Sequence, residues 1–223
     1  MPDRPHIVLP GDVTSSFATS EGLTGDAAHL AALMSTARSR MVIATTSPDA
    51  SQCRQALVWM QPGPCVVART ATTPDGDTET HIYQIDNEEI PHVTAAISPL
   101  TPNPAVFDGP PVYAAQQGFV EQTAQLLENY SSYGPSDSAF AQALVSQRWA
   151  YTTWIREERT DKDSFVPTST LSTFITPAAA YRVEAPLFAP STGPHIPIHP
   201  IYNTQLWALI TYFFTLSPER RLP

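Results

Sequence analysis

The chain has 223 residues, a length that fits one large domain or one domain with extended arms. Its formal charge of -9 would on average repel a phosphate backbone, so nucleic acid is an unlikely partner class by charge alone. Two cysteines are too few for a disulfide scaffold or a cysteine-rich zinc site, whereas 42% hydrophobic residues suffice for a core.

The 23 prolines divide the chain, because proline removes a backbone donor and disfavours helix in the residue before it. Residues 1–23 are predicted to form an extended N-terminal arm. In the proline-free window that follows, Thr24 or Asp26 can cap a helix near 25–39. The apolar positions of this helix recur at three- and four-residue spacing; they are Ala27, Leu30, Ala31, Met34, Ala37 and Met41.

The stretch 55–86 predicts a three-stranded antiparallel meander. Two turn sequences rich in Pro, Gly and Asp, at 61–64 and 73–77, separate runs rich in Val, Thr, Ile and Tyr. In the third run Ile82 alternates with His81 and Tyr83, which is typical of a half-buried sheet. With the β-branched run after Met41 and a further strand expected at 91–98, the small β-meander would span about 41–98.

An αα-hairpin is expected at about 112–158. Helical spacing of Phe119, Leu126 and Tyr130 predicts a first helix over 112–133, and Gly134-Pro135 would stop it. The aromatic-rich stretch 137–158 predicts the second helix. The helix, the meander and the hairpin together predict an α+β domain over 24–166.

Residues 167–223 are predicted to be a Pro-rich, extended C-terminal region that is mostly unpaired, with short strands at 170–175 and 181–188. Its terminal segment, 204–216, is apolar on all sides. Whether it is helix or strand is left open by the sequence, but it must be buried, either in its own core or in a neighbour.

No motif in the chain names a reaction. There is no Gly-x-Ser-x-Gly and no glycine-rich phosphate loop, and neither Cys53 nor Cys65 has a histidine nearby. His195 and His199 have the spacing of two metal ligands on a helix, but the proline between them prevents that turn. No catalytic residue, cofactor or metal is therefore expected, and the chain is expected not to be an enzyme.

Two further histidines flank the predicted sheet. His81 and His92 have Glu88 and Glu89 between them in sequence, and these groups are expected to be solvated loop charges.

The arms suggest a function. An extended arm of this length could reach about 75 Å, well beyond the radius of its own domain. The chain is therefore predicted to be a non-enzymatic structural subunit of a large assembly, most concretely a virion coat, decoration or cement-type protein. Its partners would be other copies of itself or a larger shell protein, with no membrane span. The candidate interface residues are Trp207, Phe213, Phe214, Leu206, Tyr212, Ile7, Val8 and Phe17.

Two alternatives remain open on the same residues. One is an accessory subunit of a large cellular complex, and the other is an enzyme or ligand-binding domain whose site is dispersed along the chain. The first residues lack the apolar stretch of a signal peptide, so a virion or an intracellular, cytoplasmic location is expected.

Overall fold

A computed structural model describes residues 4–11, 17, 21–48, 54–73, 75–98, 112–115, 149–162, 164–176, 180–183, 195–201 and 203–215. The chain divides into two compact units. Unit 1 comprises Met1–Ala44, Arg54–Ser98 and Trp154–Ser169. Unit 2 comprises Thr45–Cys53, Pro99–Thr153 and Thr170–Pro223.

In chain order the elements are β1 (His6–Pro10), α1 (Gly25–Thr36), β2 (Ser39–Thr46), β3 (Arg54–Met60), β4 (Cys65–Thr72), β5 (Thr78–Ile85), a 3-10 turn (Asn87–Glu89), α2 (Ile90–Ile97), β6 (Val112–Ala115), β7 (Ala150–Arg159), β8 (Phe165–Ile175), β9 (Ala180–Val183), β10 (His195–Ile201) and α3 (Asn203–Thr215).

Unit 1 is built on strands in the order β1-β5-β4-β3-β2-β7-β8, of which β2, β7 and β8 contribute only part of their lengths. Strands β3, β4 and β5 form an antiparallel meander, with Trp59 opposite Val66 and Cys65 opposite Ile85. The predicted α+β fold with an antiparallel meander is therefore confirmed. Strand β1 adds to the meander by pairing antiparallel with β5, so that His6 lies opposite Tyr83.

Helix α1 covers one face of the meander. Its buried residues Leu30, Ala31 and Met34 belong to a core cluster that also contains Ala68 of β4 and Ile82 of β5. Burial of this apolar surface stabilises the helix, whose N-cap residue Thr24 makes no side-chain capping bond. The predicted helix near 25–39 is present and ends at Thr36, before the backbone becomes extended at Ala37.

Unit 2 contains strands in the order β2-β7-β8-β9-β10-β6, again with β2, β7 and β8 in part. The pairs β8/β9, β9/β10 and β10/β6 are all antiparallel. Helix α3 contacts β9 and buries Leu206, Ile210 and Phe213, which are spaced as one helical face. The sequence left open whether the segment 204–216 is helix or strand. The structure shows a helix over Asn203–Thr215.

The strand expected at 91–98 is wrong, because Ile90–Ile97 is helix α2. Asp86 and Glu89 form a reciprocal capping box at the preceding 3-10 turn, and Pro91 occupies the first turn of the helix, where its missing N–H costs nothing. The capping box and Pro91 therefore favour a helix here more strongly than the β-branched residues of this short run favour a strand.

The αα-hairpin expected at 112–158 is not confirmed. The structure has strand β6 at Val112–Ala115 and strand β7 at Ala150–Arg159, where the two helices were expected to begin and end. The β-branched and aromatic residues of β7, from Tyr151 to Ile155, favour a strand once neighbours are present to pair with it. The remainder of the predicted hairpin, 116–148, lies outside the described residues.

The extended arms are not confirmed either. Within the predicted N-terminal arm 1–23, β1 is paired in the sheet and Phe17 is buried in the core of unit 1. The region beyond residue 166 was predicted to be mostly unpaired. The described strands there are paired antiparallel, β8 with β9, β9 with β10, and β10 with β6. Prolines 197 and 200 are accommodated within β10, which pairs on both sides.

Candidate functional site

The strands of the meander present two chemically different faces. Ile82 faces α1, whereas its neighbours His81 and Tyr83 point to the opposite face, because side chains alternate along a strand. Register brings Arg69 of β4 beside His81, and His6 of β1 beside Tyr83, on this second face. Cationic and aromatic side chains from three strands thus share one surface.

Helix α2 packs on part of this second face and leaves the rest accessible. The guanidinium of Arg54 donates to the carbonyl oxygen of Ala96 at 2.8 Å, which ties the end of α2 to β3. Between α2 and the strands lies an open groove of about 760 Å³. Its lining residues are Arg4, Pro5, His6, Arg69, His81, Tyr83, Gln84, Ile85, Glu89, His92, Val93, Ala96 and Ile97.

Two histidines stack at one end of the groove. The rings of His6 and His81 are 5.6 Å apart between centroids, with Nε2 of His6 3.4 Å from Nδ1 of His81. Nε2 of His81 lies 3.0 Å from Oε1 of Glu79, and His6 also meets the edge of Tyr83. Among the residues that the structure describes, no three His, Cys, Asp or Glu side chains are grouped so that they could hold a metal ion.

Arg4 fastens the start of β1 to the 3-10 turn. Its Nη2 donates to Oδ2 of Asp86 at 2.6 Å, and its Nη1 donates to the carboxylate of Glu89. Glu89 also accepts a bond from the backbone N–H of Asp86 at 2.9 Å. That N–H, followed by the guanidinium of Arg4, holds the pKa of Glu89 below its ordinary value, and the bond to Glu89 raises the pKa of Arg4.

Replacing Glu89 by Gln is expected to lower the free energy of unfolding at neutral pH. The folded-state pKa of Glu89 lies below its ordinary value of 4.5, so ionised Glu89 stabilises the fold above that value. This stabilisation is lost as the pH falls through the lowered folded-state pKa. Urea unfolding of wild type and Glu89→Gln over a pH series should therefore show two stabilities that converge in acid.

Glu88→Gln is the matched control, since Glu88 is exposed and next in sequence. Its stability should follow that of the wild type at every pH. Identical pH profiles for the two variants would contradict the role given to Glu89.

The side chain of Arg69 differs from that of Arg4 in having no acceptor among the described residues. Its Nε is buried, and no hydrogen bond or ion pair joins the guanidinium to any of these residues. Burial raises the pKa of the neighbouring Tyr83, and the charge of Arg69 opposes that rise. The groove therefore contains a fixed positive charge beside a neutral phenol.

Cys65 lies at the start of β4 and is buried. Its Sγ donates to Oδ1 of Asn87, and burial raises the pKa of the thiol. A thiol with a raised pKa stays protonated at neutral pH and is a poor nucleophile.

The sequence-based interface candidates are placed very differently by the structure. Phe17, Leu206 and Phe213 are buried within this chain, at 3%, 0% and 1% exposure, and Ile7 packs against the core of unit 1. Large exposed side chains occur at Val8, Trp207 and Tyr212. The side chain of Phe214 lies outside the described residues, and the interface role of the whole set stays a prediction.

The groove itself was missed from sequence. His81 and His92 were noticed but interpreted as loop charges, whereas they lie on strand β5 and helix α2. The alternation of Ile82 with His81 and Tyr83 indicates that β5 has a second, more polar face. This pattern gives no information about His6 and Arg69, because those residues reach the same face only through strand register.

The chain matches no protein-family model and no curated protein. Its structure is similar to a chain of the solved complex of the Mycobacterium tuberculosis type VII secretion system chaperone EspG5 with the PE25-PPE41 dimer. The similarity covers 92% of this chain and 83% of the other, with a TM-score of 0.52 and 13% identity. At this identity the likeness is one of fold.

No helix in the described part of the chain is both long and apolar enough to span a bilayer.

Proposed function

We propose that this chain is a non-enzymatic, protein-binding subunit that acts as a chaperone for another protein. The observation that supports the proposal is the fold similarity over 92% of the chain to a structure in which a secretion chaperone holds a protein dimer. Fold alone does not define function, so the surface chemistry of this chain has to agree with it.

That chemistry favours binding over catalysis. The groove in unit 1 combines Arg69, which has no acceptor among the described residues, with Tyr83 and an apolar wall on α2, and Arg and Tyr are enriched at protein-protein interfaces. The one buried thiol of the described residues, Cys65, has a raised pKa and a hydrogen-bond acceptor, which suits a structural role.

The test is the native mass of the chain in its source material, measured on a tagged copy purified without denaturant. The expected result is a small, stoichiometric complex with another protein, whose steady-state level falls when this chain is deleted. An unrelated tagged protein of similar size is the control. Recovery of the chain as a lone monomer, with no protein depending on it, would contradict the proposal.

The same measurement addresses the sequence-based hypothesis of a virion coat, decoration or cement-type protein, which stays a prediction. That hypothesis requires sedimentation of the chain with a large particle in many copies. A small heteromeric complex and a large shell differ so much in mass that a single experiment separates them.

A further inference from the structure

The groove between β4, β5 and α2 contains the guanidinium of Arg69, for which the described residues supply no acceptor. We propose that this groove binds an extended, acidic segment of a protein partner, with one carboxylate of the segment on Arg69 and its apolar side chains against α2. The inference rests on the proposed function, and it specifies the site and the chemistry of the segment that is bound.

Arg69 is the central observation. It lies on β4 beside His81 of β5 and lines the groove, and its side chain makes no hydrogen bond or ion pair with any described residue. A guanidinium has five N–H donors, and leaving a desolvated donor such as the Nε of Arg69 unpaired costs free energy. A bound carboxylate offers two acceptor oxygens in the planar arrangement that guanidinium groups prefer.

Several other arginines among the described residues do have an acceptor. Arg4, which lines the same groove, is bonded to two carboxylates, and Arg40 and Arg156 each pair with a glutamate of β7. Arg54 donates to a backbone carbonyl. Arg69 lacks every one of these arrangements although it faces a groove, so its acceptor is expected to come from outside the chain.

The unpaired formal charge in the groove lining is positive. The chain has a formal net charge of -9, but in the groove Arg4 is bonded to both Asp86 and Glu89, whereas the side chain of Arg69 has no acidic partner among the described residues. An unpaired cation in a groove attracts the acidic part of a segment and orients it.

The wall of the groove accounts for the apolar part of the segment. Val93, Ala96 and Ile97 of α2 and Ile85 of β5 line it. A free inorganic anion would use the guanidinium but leave this wall uncovered, whereas a peptide covers both. The open shape suits an extended chain that crosses the groove, and nucleic acid is disfavoured by the charge of the protein as a whole.

The experiment is selection from a random peptide library displayed on phage, with the folded full-length chain as bait. Selected peptides are then measured for affinity to wild type and to Arg69→Gln. Arg38→Gln is the matched control, because it removes the same charge from an exposed arginine of unit 1 outside the groove. Ala96→Glu is a second test variant, which adds a repelling carboxylate at an exposed position of the α2 wall.

We expect the selected peptides to be enriched in Asp or Glu next to apolar residues. Their affinity should fall about tenfold to a hundredfold in Arg69→Gln, fall comparably in Ala96→Glu, and stay unchanged in Arg38→Gln. Raising the ionic strength should weaken binding to wild type, since part of the attraction is between charges that solvent can screen. If Arg69→Gln does not fold, Ala96→Glu decides alone.

The proposal is overturned if no peptide is enriched, if the enriched peptides lack acidic residues, or if they bind both test variants as well as wild type. Displacement of selected peptides by inorganic phosphate beyond that caused by sodium chloride at the same ionic strength would also overturn it, by indicating a phosphate site. These results leave the proposed chaperone function intact, because a client could be held elsewhere, and that function fails only in the native-mass experiment.

Discussion

Phe213→Ala is expected to lower the free energy of unfolding by about 3–5 kcal/mol, the usual cost of removing a buried phenyl ring. Phe213 lies on the inner face of α3 with Leu206 and Ile210 and is 1% exposed. Because α3 contacts β9, the cavity left by the ring weakens the attachment of the helix to the strands of unit 2. Urea unfolding followed by tryptophan fluorescence measures the change.

Trp207→Ala is the control at a partly exposed position of the same helix. Trp207 is 38% exposed against 1% for Phe213, so its truncation should cost less than that of Phe213. Hydrogen exchange should show lost protection in α3 and β9 for Phe213→Ala, and near-normal protection for Trp207→Ala. Equal destabilisation by the two substitutions would contradict the orientation of α3.

Ile82→Ala is expected to have a comparably large effect in unit 1, about 2–5 kcal/mol. Ile82 is fully buried on β5, in contact with the core cluster that α1 closes with Leu30 and Met34. Removing its side chain leaves a void between helix and sheet that close-packed neighbours fill only in part. Urea unfolding measures the change, and hydrogen exchange should show the protection of α1 and β5 falling first.

His81→Ala, one residue away, tests the other face of the same strand. His81 lies in the groove with 23% of its side chain exposed, whereas Ile82 is fully buried, so truncation of His81 should cost less stability than truncation of Ile82. A large loss in His81→Ala and a small one in Ile82→Ala would mean that the register of β5 is shifted by one residue, which exchanges the two faces.

Ile82→Ala and His81→Ala are expected to differ because the two side chains lie on opposite faces of β5, one in the core and one in the groove. Side chains on the α1 face of the meander are expected to contribute most to the stability of unit 1. If the groove binds a segment as proposed, side chains on the α2 face, such as Arg69 and His81, are expected to affect that binding. Variants of the groove are therefore informative about binding only when their unfolding free energy matches that of the wild type.

Much of the meander could be predicted from local sequence. The turns at 61–64 and 73–77 contain the residues that such turns require, and Gly63 and Gly76 adopt positive φ angles of 103° and 88° there. Helix α1 was predictable because its apolar residues repeat at helical spacing. These features depend on residues that are close together in the sequence, so a sequence pattern can predict them.

The errors have a common physical origin. The run at 91–98 is β-branched in part, but the capping box of Asp86 and Glu89 starts a helix there. The prediction of helix at 137–158 is wrong for β7, because aromatic residues fit the buried face of either element and only the pairing partner decides. The prediction of mostly unpaired chain is wrong for the proline-rich β10, since the register places each of its prolines in a paired strand.

By itself, the sequence determined an acidic chain with an α+β fold, the meander at its centre, the first helix, and the absence of any recognisable reaction motif. Only the tertiary structure decided that β1 joins the sheet, that Phe213 belongs to an internal core, and that His6, Arg69 and His81 share one groove. The physical reason is that the meander and the first helix follow from residue spacings within a few positions of the sequence. The features that only the tertiary structure decided follow from contacts between segments far apart in the sequence, which are the strand register that pairs His6 with Tyr83 and the packing of α3 on β9.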